Sequence, residues 1–130
     1  MAYRLLIVDD EEWVAFVMRR YFDEQSFVLS FAESLLEAGR LVRSETFDAV
    51  LTDLRLGGAD GCEGLELLDL VRETNPGTLR ILLTAFRNPA IDEDARERGP
   101  HLILEKPIGL AQLEQQLRDL LSQRTVREAC

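Results

Sequence analysis

Short unbroken apolar runs alternate along this chain with stretches whose apolar positions recur every three or four residues. Residues 5–8 (LLIV) form the first run, as expected of a strand covered on both faces. Residues 9–12 (DDEE) then open a helical stretch, with Val14, Phe16, Val17, Tyr21 and Phe22 as its apolar stripe. Acidic residues in a first turn suit the helix dipole. Residues 27–31 predict a second strand, and 33–44 a helix with Leu35, Leu36, Leu41 and Val42 apolar. Residues 47–52 (FDAVLT) predict a third strand. Four glycines within 57–64 (GGADGCEG) predict a loop, and 65–72 a helix burying Leu65, Leu67, Leu68 and Val71. After the turn Asn75-Pro76-Gly77, residues 80–84 (RILLT) predict a fourth strand. Residues 88–98 predict a helix with Ile91 as its one large apolar residue, and 102–104 a fifth strand. The last helix, 108–121, carries Leu110, Leu113, Leu117, Leu120 and Leu121 at helical spacing.

Five strands alternating with five helices predict an α/β fold: a doubly wound, five-stranded parallel sheet with helices on both faces. Right-handed crossovers leave few topologies. In the flavodoxin-like strand order, 2-1-3-4-5, ligands sit beyond the carboxyl ends of strands one and three. A length of 130 residues fits one domain and is expected to leave no room for a second of ordinary size. The domain is placed at 1–121, with 122–130 (SQRTVREAC) as a polar C-terminal tail or the start of a linker.

Charge narrows the functional classes. The chain has 24 Asp plus Glu against 15 Lys plus Arg, a net −9, so it repels phosphate backbones and anionic lipid surfaces. No direct nucleic-acid contact and no membrane association are expected. Cys62 and Cys130 are too far apart and too few for a disulfide framework. Apolar runs are too short for a membrane span or a signal-peptide core, which points to a cytoplasmic protein.

The residues just past each strand carry the chemistry. Asp9 and Asp10 follow the first strand, Asp53 the third, Thr84 closes the fourth, and Glu105, Lys106 and Pro107 follow the fifth. With strands one and three adjacent, three carboxylates meet, and like charges raise one another's pKa unless a counter-charge is present. Mg²⁺ takes oxygen ligands and favours one or two carboxylates plus phosphate oxygens. Three carboxylates, one Mg²⁺ and one Lys sum to zero. Such a site can accept a phosphoryl group on a carboxylate oxygen, with metal and Lys106 stabilising the equatorial oxygens. Taken singly, each residue has an ordinary reading as a cap, a loop or a strand end. Their joint placement on four strand ends is what signifies.

On these residues the chain resembles the receiver domain of two-component response regulators, of the chemotaxis-regulator-like kind. The matching residues are Ile7-Val8-Asp9-Asp10-Glu11, Asp53-Leu54, Thr84-Ala85 and Lys106-Pro107, separated by 43 residues from Asp10 to Asp53, then 31 to Thr84 and 22 to Lys106. The resemblance implies that Asp53 is the phosphoacceptor. It also implies that Asp9, Asp10, Asp53 and the backbone carbonyl of Arg55 hold Mg²⁺, with Asp9 in a supporting role. Lys106 would contact the phosphoryl oxygens, and Thr84 would turn its hydroxyl onto them to pass the signal on. Pro107 would set the peptide after Lys106, often cis in this family. The donor would be a phosphohistidine of a sensor histidine kinase or phosphotransfer protein, and the output a downstream partner or domain. Receivers of this family are signalling proteins rather than enzymes.

Departures from the family pattern define the alternative. Ile103 stands where an aromatic residue normally rotates with the Thr, and Phe86 is the one nearby residue that could supply bulk. The loop at 57–64 is about three residues longer than usual, and both Asp60-Gly61 and Glu63-Gly64 compete for its turn. A degenerate receiver acting as a phosphorylation-independent interaction module is the alternative reading. Arg55 flanks the acceptor, His101 is read as structural, and Trp13 as partial core. Enzymes on the same plan fit poorly. A haloacid-dehalogenase-like phosphatase needs a second Asp where Arg55 stands, and a flavin or dinucleotide site needs a phosphate loop where residues 9–12 are acidic.

Overall fold

The computed structural model describes residues 2–56, 61–85, 89–98 and 100–129. In chain order the elements are β1 (Tyr3–Val8), α1 (Glu12–Tyr21), β2 (Phe27–Ala32), α2 (Leu35–Ser44), β3 (Ala49–Asp53), α3 (Glu63–Thr74), β4 (Leu79–Thr84), α4 (Pro89–Arg98), β5 (Leu102–Glu105) and α5 (Leu110–Ala129). The five strands form one sheet in the order β2-β1-β3-β4-β5, with every pairing parallel. Fold class and strand order are those expected from the sequence.

Strand alternation splits the core into two layers. Leu5 and Ile7 of β1 pack with Val14 and Met18 of α1 and with Leu113, Leu117 and Leu121 of α5. Leu6 and Val8 face the other way, against Ala38 and Val42 of α2 and Leu67 and Val71 of α3. Leu54, Leu65, Leu68, Leu82 and Ala95 form a third cluster under α3 and α4, with half-buried Ile103 against it. Burial on both faces is why the central strands read as continuous apolar runs.

Several expected boundaries move. In α1 the buried residues are Val14 and Met18, whereas Trp13 is 62% and Phe16 58% exposed. Trp13 is therefore surface, not partial core, because it lies on a different face of α1 from Val14 and Met18. Leu36, 65% exposed, likewise leaves the core. Helix α2 starts after Ser34, whose hydroxyl accepts from Glu37 N–H at 3.2 Å, so Glu33 lies outside it. Helix α3 begins at Glu63 and takes in Gly64, which its glycine-rich surroundings place in the loop. A Cβ on Gly64 would sit 2.1 Å from the Asp53 carbonyl oxygen, so only glycine lets α3 approach the end of β3 this closely. Among the described residues of the segment, Gly61 has a positive φ, 71°. Helix α5 continues through Ala129, past the last leucine of its stripe. There Arg124 donates to the backbone carbonyl of Asp48 at 2.7 Å and pairs with its carboxylate, tying α5 to the amino-terminal edge of the sheet. Asn88, Cys130 and the side chain of Ile91 lie outside the described residues.

Candidate functional site

Parallel strands end together at one edge of the sheet, and the acidic residues gather there. Backbone register pairs Val8 with Thr52 and Asp53 with Leu83, so Asp9, Asp53 and Thr84 occupy neighbouring strand ends. One carboxylate oxygen from each of Asp9, Asp10 and Asp53 lies within 4.8 Å of the others. Asp9 is buried, Asp53 half-buried and Asp10 exposed. Lys106, just past β5, reaches into the group: its Nζ is 2.8 Å from Asp9 Oδ2 and 3.2 Å from Asp53 Oδ2. The Lys106 backbone N–H donates to Thr84 O at 2.8 Å, fixing the start of the loop, and the Lys106–Pro107 peptide is cis.

Electrostatics follow from this crowding. Burial pushes the Asp53 carboxyl above its usual range; Lys106 opposes the rise and Asp9 reinforces it. For Lys106, burial acts downward, but the hydrogen bonds and charges of Asp9 and Asp53 outweigh it, and the ammonium is held more tightly than usual. Asp9 is fully committed: Oδ2 accepts from Lys106, and Oδ1 from Glu11 N–H at 3.0 Å. That leaves exposed Asp10 and the remaining lone pairs of Asp53 facing outward. An all-oxygen donor set with one fixed ammonium suits a hard divalent cation that keeps several waters.

The structure thus brings Asp9, Asp10, Asp53 and Lys106 together and puts Thr84, fully buried at the end of β4, on the adjoining strand. Arg55 is exposed beside the site, and its backbone N–H hydrogen-bonds Asp53. Phe86 and residues 57–60 lie outside the described residues. His101 has a structural role: its Nδ1 accepts from the Arg80 backbone N–H at 3.0 Å while the His101 backbone N–H donates to Arg80 O at 2.8 Å, pinning β5 to β4. Cys62, just before α3, is a free thiol. Two residues were missed from sequence. Gly64 sets the distance between α3 and Asp53, and buried Glu63 accepts from Leu56 N–H at 3.4 Å across the long loop. An acidic residue inside a glycine-rich segment was the available sign of the latter.

No described helix is long and apolar enough to cross a membrane. Residues 5–118 match the family described as response regulator receiver domain. A response regulator receiver protein of Anaeromyxobacter sp. (strain Fw109-5) is 35% identical over 117 residues, covering 85% of this chain and 45% of that protein. Among solved structures, a response regulator receiver domain protein from Methanospirillum hungatei JF-1 superposes with TM-score 0.88 at 20% identity, covering 98% of this chain and 99% of that one. A response regulator protein from Burkholderia pseudomallei, solved with a phosphorylated aspartic acid, calcium ion and citrate, gives TM-score 0.79 at 25% identity, covering 98% and 73%. The chain spans 26% to 45% of the length of the curated relatives it matches first.

Proposed function

This chain belongs to the response regulator receiver domain family, and from that premise we propose that Asp53 accepts a phosphoryl group in a Mg²⁺-dependent reaction and that the change is read elsewhere on the domain. The observation carrying this is the convergence of Asp9, Asp10 and Asp53 within 4.8 Å of one another, with the Lys106 ammonium on Asp9 and Asp53. The phosphorylated aspartic acid and calcium ion in the Burkholderia pseudomallei neighbour support the same chemistry here.

In this reading an Asp53 carboxylate oxygen attacks phosphorus as the nitrogen–phosphorus bond of a phosphohistidine breaks. The donor belongs to a sensor histidine kinase or a phosphotransfer protein. Burial raises the basicity of Asp53, and Lys106 lies on its Oδ2 side, where it can follow the transferred oxygens. Asp10 and Asp53 hold the metal directly, aided by the Arg55 carbonyl, while Asp9 positions Lys106 and the loop through its two hydrogen bonds. When bound, Mg²⁺ supplies neutralising charge for the phosphoryl oxygens. Thr84 turns toward the new phosphate, and Ile103 moves with the cluster of Leu54, Leu82 and Ala95. The receiver spans 1–121 in this reading, with 122–130 leading to whatever output it controls. The intact charge cluster favours this over a phosphorylation-independent module. Beryllofluoride with Mg²⁺ tests it by NMR. Shifts at Asp53, Thr84 and Ile103, lost in Asp53→Asn, are expected; binding that leaves Thr84 and Ile103 unmoved would return the interaction-module reading.

A further inference from the structure

Beside the acidic cluster a cleft of about 390 Å³ runs between α1 and α5, within the size range of small-molecule sites. Its walls are apolar: Val14, Val17 and Met18 on α1, Leu110 and Leu113 on α5, with Ile7 and Leu83 of the sheet as floor. Only three charged residues line it, Asp9, Glu11 and Lys106, all at the end nearest the strand termini. Lys106 is already engaged by Asp9 and Asp53. Glu11 pairs with no cation among the described residues; its carboxylate accepts from the indole N–H of Trp13, which stands at the rim. Exposed Asp10 and Glu12 flank this end, so the mouth is negative while the body is greasy. The larger cleft of about 870 Å³ along α1 is lined by both signs of charge, Arg19 and Arg20 with Asp9, Glu12, Glu33 and Glu37.

We propose that the smaller cleft binds a small organic cation with an apolar body, such as an alkyl- or arylamine. The body lies between α1 and α5 against Val17 and Leu110. The ammonium sits on the Glu11 carboxylate at the mouth, beside Trp13, in a charge-assisted hydrogen bond. A second positive charge at the mouth opposes a divalent cation on the acidic cluster, so amine and metal weaken one another reciprocally. The cleft stands without the phosphoacceptor reading; only its coupling to the metal rests on that reading.

Trp13 is the sole tryptophan and reports directly. Hexylamine, hexanol and hexanoate share one body with cationic, neutral and anionic heads. Titration by Trp13 fluorescence, with NMR shifts mapped on the cleft, should rank them in that order, with hexylamine about tenfold tighter than hexanoate. Glu11→Gln should erase most of the preference for the amine. Val17→Phe should reduce binding of all three, with its fold checked by circular dichroism. Mg²⁺ should weaken hexylamine several-fold. Equal binding of the three probes, or shifts outside the cleft, would overturn the proposal. Amine binding without competition from Mg²⁺ would overturn the coupling alone, and phosphoryl acceptance at Asp53 is scored separately in the same protein.

Discussion

Replacing Lys106 by Met removes the one cation that pairs with the acidic cluster among the described residues, while keeping the length of the side chain. At 2.8 and 3.2 Å, and an effective dielectric of about 20, the two attractions are worth roughly 5–6 kcal/mol each before solvation is counted. Desolvating the ammonium and two partly buried carboxylates cancels most of that, several kcal/mol per ion. Lys106 keeps a quarter of its side chain in solvent, so the net loss should be about 2 kcal/mol, below that of a fully buried pair. Urea unfolding without divalent cations measures it. With a slope of about 1.5 kcal/mol per molar, the midpoint should fall by about 1.3 M. The raised pKa of Lys106 means its contribution is complete at neutral pH and is lost only as pH rises through that elevated value. On the acid side the penalty of Lys106→Met should shrink as the crowded carboxylates take up protons. Mg²⁺ should bind the variant about tenfold more tightly, because one repelling charge is gone. An unchanged midpoint, or weaker Mg²⁺ binding, would refute the view that Lys106 is the counter-ion of this cluster.

Other consequences are sharper for being local. Gly64→Ala should cost about 3 kcal/mol by forcing α3 off the end of β3, whereas Gly39→Ala, which meets only movable side chains, should gain about 0.5–1 kcal/mol in thermal or urea unfolding. Asp53→Asn should stabilise the metal-free protein by about 1 kcal/mol at neutral pH. Because burial raises the Asp53 pKa, its ionised form opposes folding above that value, so the gain should vanish as pH falls through the carboxylate range. His101→Ala removes the acceptor of Arg80 N–H and should cost about 1 kcal/mol, with hydrogen-exchange protection lost first at Arg80 and Leu102.

What could be read from sequence followed the physics of burial. Central strands such as β1 and β4 are covered on both faces, so their apolar runs stand out, and parallel order then assembles Asp9, Asp10, Asp53 and Lys106 without further information. Helix phase was less legible. Apolar residues at 13, 14, 16, 17, 18, 21 and 22 cover more than one face of α1, and only packing chooses Val14 and Met18 over Trp13 and Phe16. The start of α3 was hidden because Gly64 looks like a loop residue, and its reason, the Asp53 carbonyl, lies eleven positions away in sequence and in contact only in the fold. The grip of Arg124 on Asp48 was hidden for the same cause, since seventy-six positions separate them.

The central claim is that Asp53 takes a phosphoryl group with help from a divalent cation. Intact mass after incubation with a small-molecule phosphodonor, with and without Mg²⁺, tests it most directly. The expected result is a labile gain of one phosphoryl mass that needs Mg²⁺ and disappears in Asp53→Asn. No adduct with Asp10 and Lys106 intact, or an adduct that survives in Asp53→Asn, would contradict it.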